Sequence, residues 1–209
     1  MNDTVKQLIA ILAVIALLGI AYYGTFLPLR KSQTFIGTLR NLSSVRSLQE
    51  FEDSFSAALD APSPVGQEEL VRNTGNTILG LIQQNGSNPE LTEAVLKYVA
   101  QYYDPILEKP RGLNFTQNLY VLGALNEVAF GKTNNPKYIE AAKTYYLQGL
   151  ELSPKRPQFL YGLFSVYTTQ NDLVNAKDIG QRILNLWPDD KKMKGAVDGI
   201  TAELAKEKK

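Results

Sequence analysis

The sequence predicts an all-α chain in which an N-terminal transmembrane helix precedes an α-solenoid of antiparallel helix pairs. Three observations carry that reading. Gln7–Leu29 runs without a charge between Lys6 and Arg30. After residue 32, apolar residues recur at helical spacing, and no stretch sustains the period-two alternation of a half-buried strand. Turn-forming clusters such as "APSPVG" (Ala61 to Gly66) and "NGSNP" (Asn85 to Pro89) separate the periodic segments.

The first segment, residues 1–32, is the anchor. A bilayer core needs roughly 20 apolar residues in helical form, which Gln7–Leu29 supplies. Tyr22 and Tyr23 stand toward one end, where amphipathic rings favour the interface, and Arg30-Lys31 stops the span among head groups. The competing reading is a cleaved secretory signal with Gly19-x-Ala21 as a small-residue cleavage site. Apolar sequence continuing through Phe26, Leu27 and Leu29 favours a retained anchor, in a bacterial cytoplasmic membrane. Its orientation is pulled both ways. The basic residues after the span (Arg30, Lys31, Arg40 and Arg46) place the remainder in the cytoplasm by the positive-inside rule, whereas short anchors at the start of bacterial chains often export the body of the protein.

Residues 33–112 read as a helical region of degenerate pairs. Ser47-Leu48-Gln49-Glu50 has the form of a capping box, and Leu48, Phe51, Phe55 and Leu59 then share a face. A second helix is predicted from about Gly66 to Gln84. A third carries Leu91, Val95, Val99 and Tyr102, with Pro105 expected to kink or shorten it before "EKPRG". The last segment, 191–209, reads as a capping helix with Met193, Val197, Ile200 and Leu204 along one side and "KEKK" at its end.

Composition narrows the chemistry. The 209 residues include 22 basic and 21 acidic side chains, so no broad field directs the chain toward nucleic acid. Histidine and cysteine are both absent, which excludes Ser-His-Asp and Cys-His catalysis, imidazole or thiolate metal sites and disulfides. No cofactor and no catalytic set is expected. Glu68-Glu69, Asp189-Asp190 and Glu50 with Glu52 and Asp53 stand near helix starts, where negative charge complements the dipole. An enzyme built on such carboxylates is the least favoured alternative.

Gly131-Lys132-Thr133 has the tail of a phosphate-binding loop. That loop needs an earlier glycine at position 126, occupied here by Asn126, and a strand before it, where "NLYVLGALNEVAF" has helical spacing. The expectation is a turn between two helices, with Gly131 ending one in the left-handed conformation and Pro136 opening the next.

Residues 113–190 carry a family resemblance. "PQFLYGLFSVYTTQNDLVNAKDIGQRILNLWPDD", Pro157 to Asp190, has the 34-residue period of the tetratricopeptide repeat and resembles it by position. Leu163 and Tyr167 match its large first-helix residues, Gln170 to Asp172 its turn, Ala176 its small contact site and Pro188 its close. Phe164 stands where a small residue is usual and Gly180 where an aromatic is usual, an exchange that compensates if the two meet. The preceding unit offers Leu122-Gly123, Ala142, Tyr146, Leu150 and Pro154, with "FGKTNNP" as excess turn. "FSAALDAP", Phe55 to Pro62, looks like the worn end of another repeat.

The resemblance implies a groove lined by Gln117, Tyr120, Ala124 and Glu127 in one repeat and Gln158, Tyr161, Ser165 and Thr168 in the next. It also implies a protein or peptide ligand held there. Tyr120 and Tyr161 offer flat apolar bodies with polar tips, suited to an extended peptide or a sugar face and equally to packing between helices. The lysine and asparagine that grip a terminal carboxylate in such repeats are replaced by Tyr161 and Ser165. The order of an anchor, "PLR" (Pro28 to Arg30), "GQEELVRN" (Gly66 to Asn73) and "NPKYIEAAKTYYLQGLELSPKRPQFLYGL" (Asn135 to Leu163) also looks like the tail of bacterial O-antigen ligase or polymerase-like membrane proteins. The expected function is a membrane-anchored scaffold for protein interaction in cell-envelope assembly. The alternative is an accessory domain working beside a multi-span glycan enzyme of that kind.

Overall fold

A computed structural model of the chain describes residues 2–84, 88–110 and 112–207. The described residues are helical throughout their ordered elements and contain no strand. Parts of the predicted turns at "NGSNP" and "EKPRG", and the final two lysines, lie outside the described residues. The chain forms two compact units, Met1–Thr74 and Gly75–Lys209.

In the first unit, α1 (Asp3–Ala21) passes through a π-helical turn (Tyr22–Phe26) into α2 (Leu27–Asn41). Pro28 explains the widened turn. Its ring has no N–H to offer and crowds the carbonyl four residues back, that of Gly24, so the helix stays continuous by loosening there. Leu27 accordingly donates its N–H to Tyr22 O, one residue beyond the α spacing. The join also divides two kinds of helix. Upstream, Leu8, Ile11, Leu12, Ile15, Leu17 and Leu18 are all exposed, each more than half. Downstream, Leu27, Lys31, Phe35 and Thr38 recur on one buried face.

That face packs on α3 (Leu48–Leu59) through Phe35, Phe51 and Phe55, with ring centroids 6.1 and 4.6 Å apart. Thr38 donates to Ser54 O at 2.8 Å. Lys31, read from sequence as a head-group stop, is instead buried. Its ammonium donates to Leu59 O at 2.9 Å, Ala61 O at 2.7 Å and Gln67 Oε1. Three donors thus meet three acceptors. Half of the capping box forms. Ser47 accepts from Glu50 N at 3.1 Å, but Glu50 Oε2 takes the N–H of Arg46, not that of Ser47.

Gly66, with φ of 89°, leads into α4 (Gln67–Gln84). In the second unit, α5 (Pro89–Glu108) starts where Asn88 accepts from Leu91 N and Pro89 occupies the first turn. Its buried face is Thr92, Tyr98, Val99, Tyr103 and Ile106, so Leu91 turns outward against expectation. Pro105 does not stop the helix, which runs on to Glu108. The bond it omits belongs to the carbonyl of the exposed Gln101, and buried Tyr103 and Ile106 hold the chain on either side.

Then follow α6 (Gly112–Thr133), α7 (Pro136–Leu152), α8 (Pro157–Thr169), α9 (Leu173–Leu186) and α10 (Lys191–Glu207), each packed on the one before. The sequence-based turn at Gly131 moves. Gly131, Lys132 and Thr133 complete α6, and Asn134, at φ 52°, takes the left-handed conformation that ends it. Asn tolerates that region through its short polar side chain. Asn135 then caps α7, accepting from Lys137 N, with Pro136 in the first turn. The residues in excess of the repeat length therefore lengthen a helix.

Rings fill glycine notches along this series. A Cβ on Gly123 would stand 2.3 Å from Tyr146 Cε1, and one on Gly162 2.5 Å from Cε2 on the ring's other edge. A Cβ on Gly149 would meet Phe159 at 2.1 Å. Phe164 and Gly180 do meet, the ring lying 3.2 Å from where that Cβ would stand, and Val197 of α10 fills the remaining space. Ala142 and Ala176 are fully buried, and Met193, Val197 and Ile200 form the covered side of α10.

Candidate functional site

A cavity of about 780 Å³ opens among α4, α6 and α8 within the second unit. The 3.6-residue period decides which side chains reach it. Tyr120, Ala124, Glu127 and Val128 come from one face of α6. Gln158, Tyr161, Gly162 and Ser165 come from one face of α8, with Pro157 beside them. Leu79 and Gln83, one turn apart on α4, bound the third side, and Tyr146 of α7 lies between α6 and α8.

Of the residues selected from sequence, Tyr120, Ala124, Glu127, Gln158, Tyr161 and Ser165 are thus brought together. Gln117 and Thr168 are not in the lining. Thr168 is exposed at the end of α8, its hydroxyl donating to Phe164 O at 2.7 Å, and Gln117 lies one turn before Tyr120, half-buried on α6.

Among the described residues, Glu127 is the one charged side chain in the lining. Tyr146 Oη donates to its Oε2 at 2.9 Å, and Ser165 Oγ donates to Oε1. Burial, reinforced by the Glu127 charge, pushes the Tyr146 phenol well above its ordinary range. Tyr120 stacks on Tyr146 at 6.4 Å and meets Phe159 edge-on at 6.5 Å. Tyr161 donates to Asp190 Oδ2, which pushes its phenol up to about 12, and its ring lies 6.3 Å from that of Trp187. Asp190 is itself the cap of α10, accepting from Met193 N at 2.9 Å. That backbone bond and the Tyr161 hydroxyl hold its carboxyl below the usual carboxylate range. Both tyrosines therefore pack against aromatics and also line the cavity.

Sequence reasoning missed Tyr146 as a site residue, assigning it only to packing. It also missed Leu79, Gln83 and Val128. Val128 was within reach, following Glu127 on the same side of α6, but nothing in the sequence ties α4 to this face. Of the other acids noted from sequence, Glu50 falls in the first turn of α3 and Glu68 and Glu69 in that of α4, while Asp53, further along α3, accepts from Gln49. Among the described residues, no group of three or more acidic side chains is placed to hold a metal ion.

The lining offers aromatic faces, two amides and one carboxylate. Comparison with protein-family models, with curated proteins and with solved structures finds no match.

Proposed function

We propose that the chain is a membrane-anchored, non-catalytic scaffold of tetratricopeptide type, in which α6–α7 and α8–α9 are repeat units and α10 is their cap. The cavity between α6 and α8 is its groove, holding a segment of a partner protein. The observation that carries this reading is the convergence of Tyr120 and Glu127 of α6 with Gln158, Tyr161 and Ser165 of α8 on one concavity. First helices of successive repeats line the groove in that family, and the glycine notches under Tyr146 and Phe159 supply the close helix contacts such stacking requires.

The anchor is α1. Among the described residues one helix, Asp3–Ser44, is long and apolar enough to cross a bilayer, and none of the residues of its first part, α1, is buried by protein. A helix apolar all round that no protein covers is suited to lipid. The partner is recruited at a bacterial cytoplasmic membrane, within cell-envelope assembly. The alternative reading, suggested by the order of anchor and repeats, is an accessory domain working beside a multi-span glycan enzyme.

A photo-crosslinking residue placed at Gln158 in the full chain, in native membranes, tests the groove. A defined protein crosslinked there, identified by mass spectrometry and absent when the residue is placed at exposed Val174, supports the scaffold. A multi-span glycan enzyme as that protein favours the accessory-domain reading. Equal yields at Gln158 and Val174, or none at Gln158, contradict it.

A further inference from the structure

Resting on the groove reading, we infer that the segment it takes carries a lysine or arginine whose charged head pairs with Glu127. The first ground is charge. Glu127 is half-buried, and among the described residues the lining contains no lysine or arginine to answer it. Among the described residues its partners are two neutral hydroxyls, those of Tyr146 and Ser165, one on each oxygen. A carboxylate offers roughly four acceptor positions, so each oxygen keeps capacity toward the cavity. A partly desolvated anion in a concavity favours a cationic visitor and penalises an anionic one.

Aromatic faces provide the second ground. Tyr120 and Tyr161 line the same concavity, and the face of a tyrosine ring attracts an ammonium or guanidinium. Both rings are fixed before anything binds. Tyr120 rests on Tyr146 and Phe159, while Tyr161 is held by its bond to Asp190 and by Trp187. Fixed rings lose little freedom when a ligand arrives.

The remaining lining fits the rest of a peptide. Leu79, Val128 and Pro157 are apolar surface for the aliphatic stem of a basic side chain, which buries its methylenes while the head finds its charge. Gln83 and Gln158, both exposed, each present a donor and an acceptor to main-chain groups of an extended segment. A neutral sugar would use the same rings and amides but leave Glu127 uncompensated. An acidic segment would meet it directly.

The test uses the full chain in detergent micelles and a displayed library of random linear peptides. The binding of a selected peptide is then compared with that of its counterpart carrying norleucine at the basic position. The selected peptides are expected to share a lysine or arginine, and norleucine is expected to weaken binding by at least about tenfold. In Glu127→Gln, which keeps an acceptor for a hydroxyl and whose folding circular dichroism verifies, the two peptides are expected to bind alike. The peptide-side comparison stands even if that variant fails to fold. Selected peptides that lack basic residues, or that tolerate norleucine, overturn the inference; if Tyr161→Ala still abolishes their binding, the groove reading survives. A wild-type chain that selects no peptide overturns both.

Discussion

Tyr146 of α7 donates its phenolic hydrogen to Glu127 of α6 across 2.9 Å, and Ser165 of α8 donates to the other oxygen of the same carboxylate. Three helices consecutive in the chain are therefore tied to one charge at the base of the cavity. Tyr146→Phe keeps the ring between its two glycines and removes only the hydroxyl. It is expected to cost about 1–2 kcal/mol, the range for a hydrogen bond to a partly exposed charged acceptor. Chemical denaturation of the purified chain measures it; an unchanged midpoint would mean the hydroxyl contributes nothing to the fold.

Gly162→Ala tests the notch. Its Cβ would stand 2.5 Å from a ring carbon of Tyr146, whose opposite edge is closed by Gly123. The ring has nowhere to retreat. Overpacking of this kind costs about 1–3 kcal/mol, which outweighs the gain of about 1 kcal/mol that alanine brings to a helix interior. Gly199→Ala on α10 has nothing within 4 Å of the added carbon. It is expected to raise the unfolding temperature, while Gly162→Ala lowers it.

The Tyr161–Asp190 pair gives a pH dependence with opposite signs at the two ends. Asp190 is held below the usual carboxylate range by the Met193 amide and then by Tyr161. Its contribution is complete above the unfolded carboxyl pKa of about 3.9 and is lost as pH falls through the depressed folded value. Tyr161, raised to about 12 by its bond to Asp190, contributes fully below the unfolded phenol value and loses that contribution as pH rises through about 12. In Asp190→Asn the tyrosine is expected to titrate at lower pH, which its ring resonances report. An unchanged titration would remove Asp190 as the cause.

Lys31 ties α2 to the end of α3. Lys31→Ala leaves the Leu59 and Ala61 carbonyls and Gln67 without their shared donor, a loss expected to cost about 1–3 kcal/mol. Faster amide exchange through the Asp60–Gly66 connection is the expected signature. Lys31→Arg is not expected to restore it, because a planar fork cannot reproduce three divergent ammonium bonds.

Helix starts were the most legible part of the sequence, because their signals are local. Ser47 and Pro136 take the helix starts expected of them, while Asn88, Asn135 and Asp172, read only as turn residues, prove to cap the helices that follow. The covered side of α10 was legible from its spacing alone. Helix ends were less so, since Gly131 and Asn134 both suit a left-handed residue and packing upstream chose the later one. On α5 Val99 is buried as expected, whereas Thr92 and Tyr103 are buried where Leu91 and Tyr102 were expected. Lys31 shares a face with Leu27 and Phe35 at i−4 and i+4, a pattern that marks burial, but its place beside an apolar span favoured the interface reading. At the cavity, the resemblance to the repeat family, rather than spacing alone, picked out Tyr120, Glu127, Tyr161 and Ser165, which the structure places in one lining. It gave no sign that Tyr146 would bond across helices, because that bond depends on how far apart two glycine-notched helices sit.

A membrane-anchored scaffold requires α1 to lie in lipid, since none of its leucines and isoleucines is buried among the described residues. Labelling of native membranes with a photoactivated carbene dissolved in the hydrocarbon phase tests this most directly. The account predicts label concentrated between Leu8 and Leu18 and absent from α8, with the chain retained after alkaline extraction. Label absent from that stretch, or a mature chain released by alkali and beginning after Ala21, would contradict it.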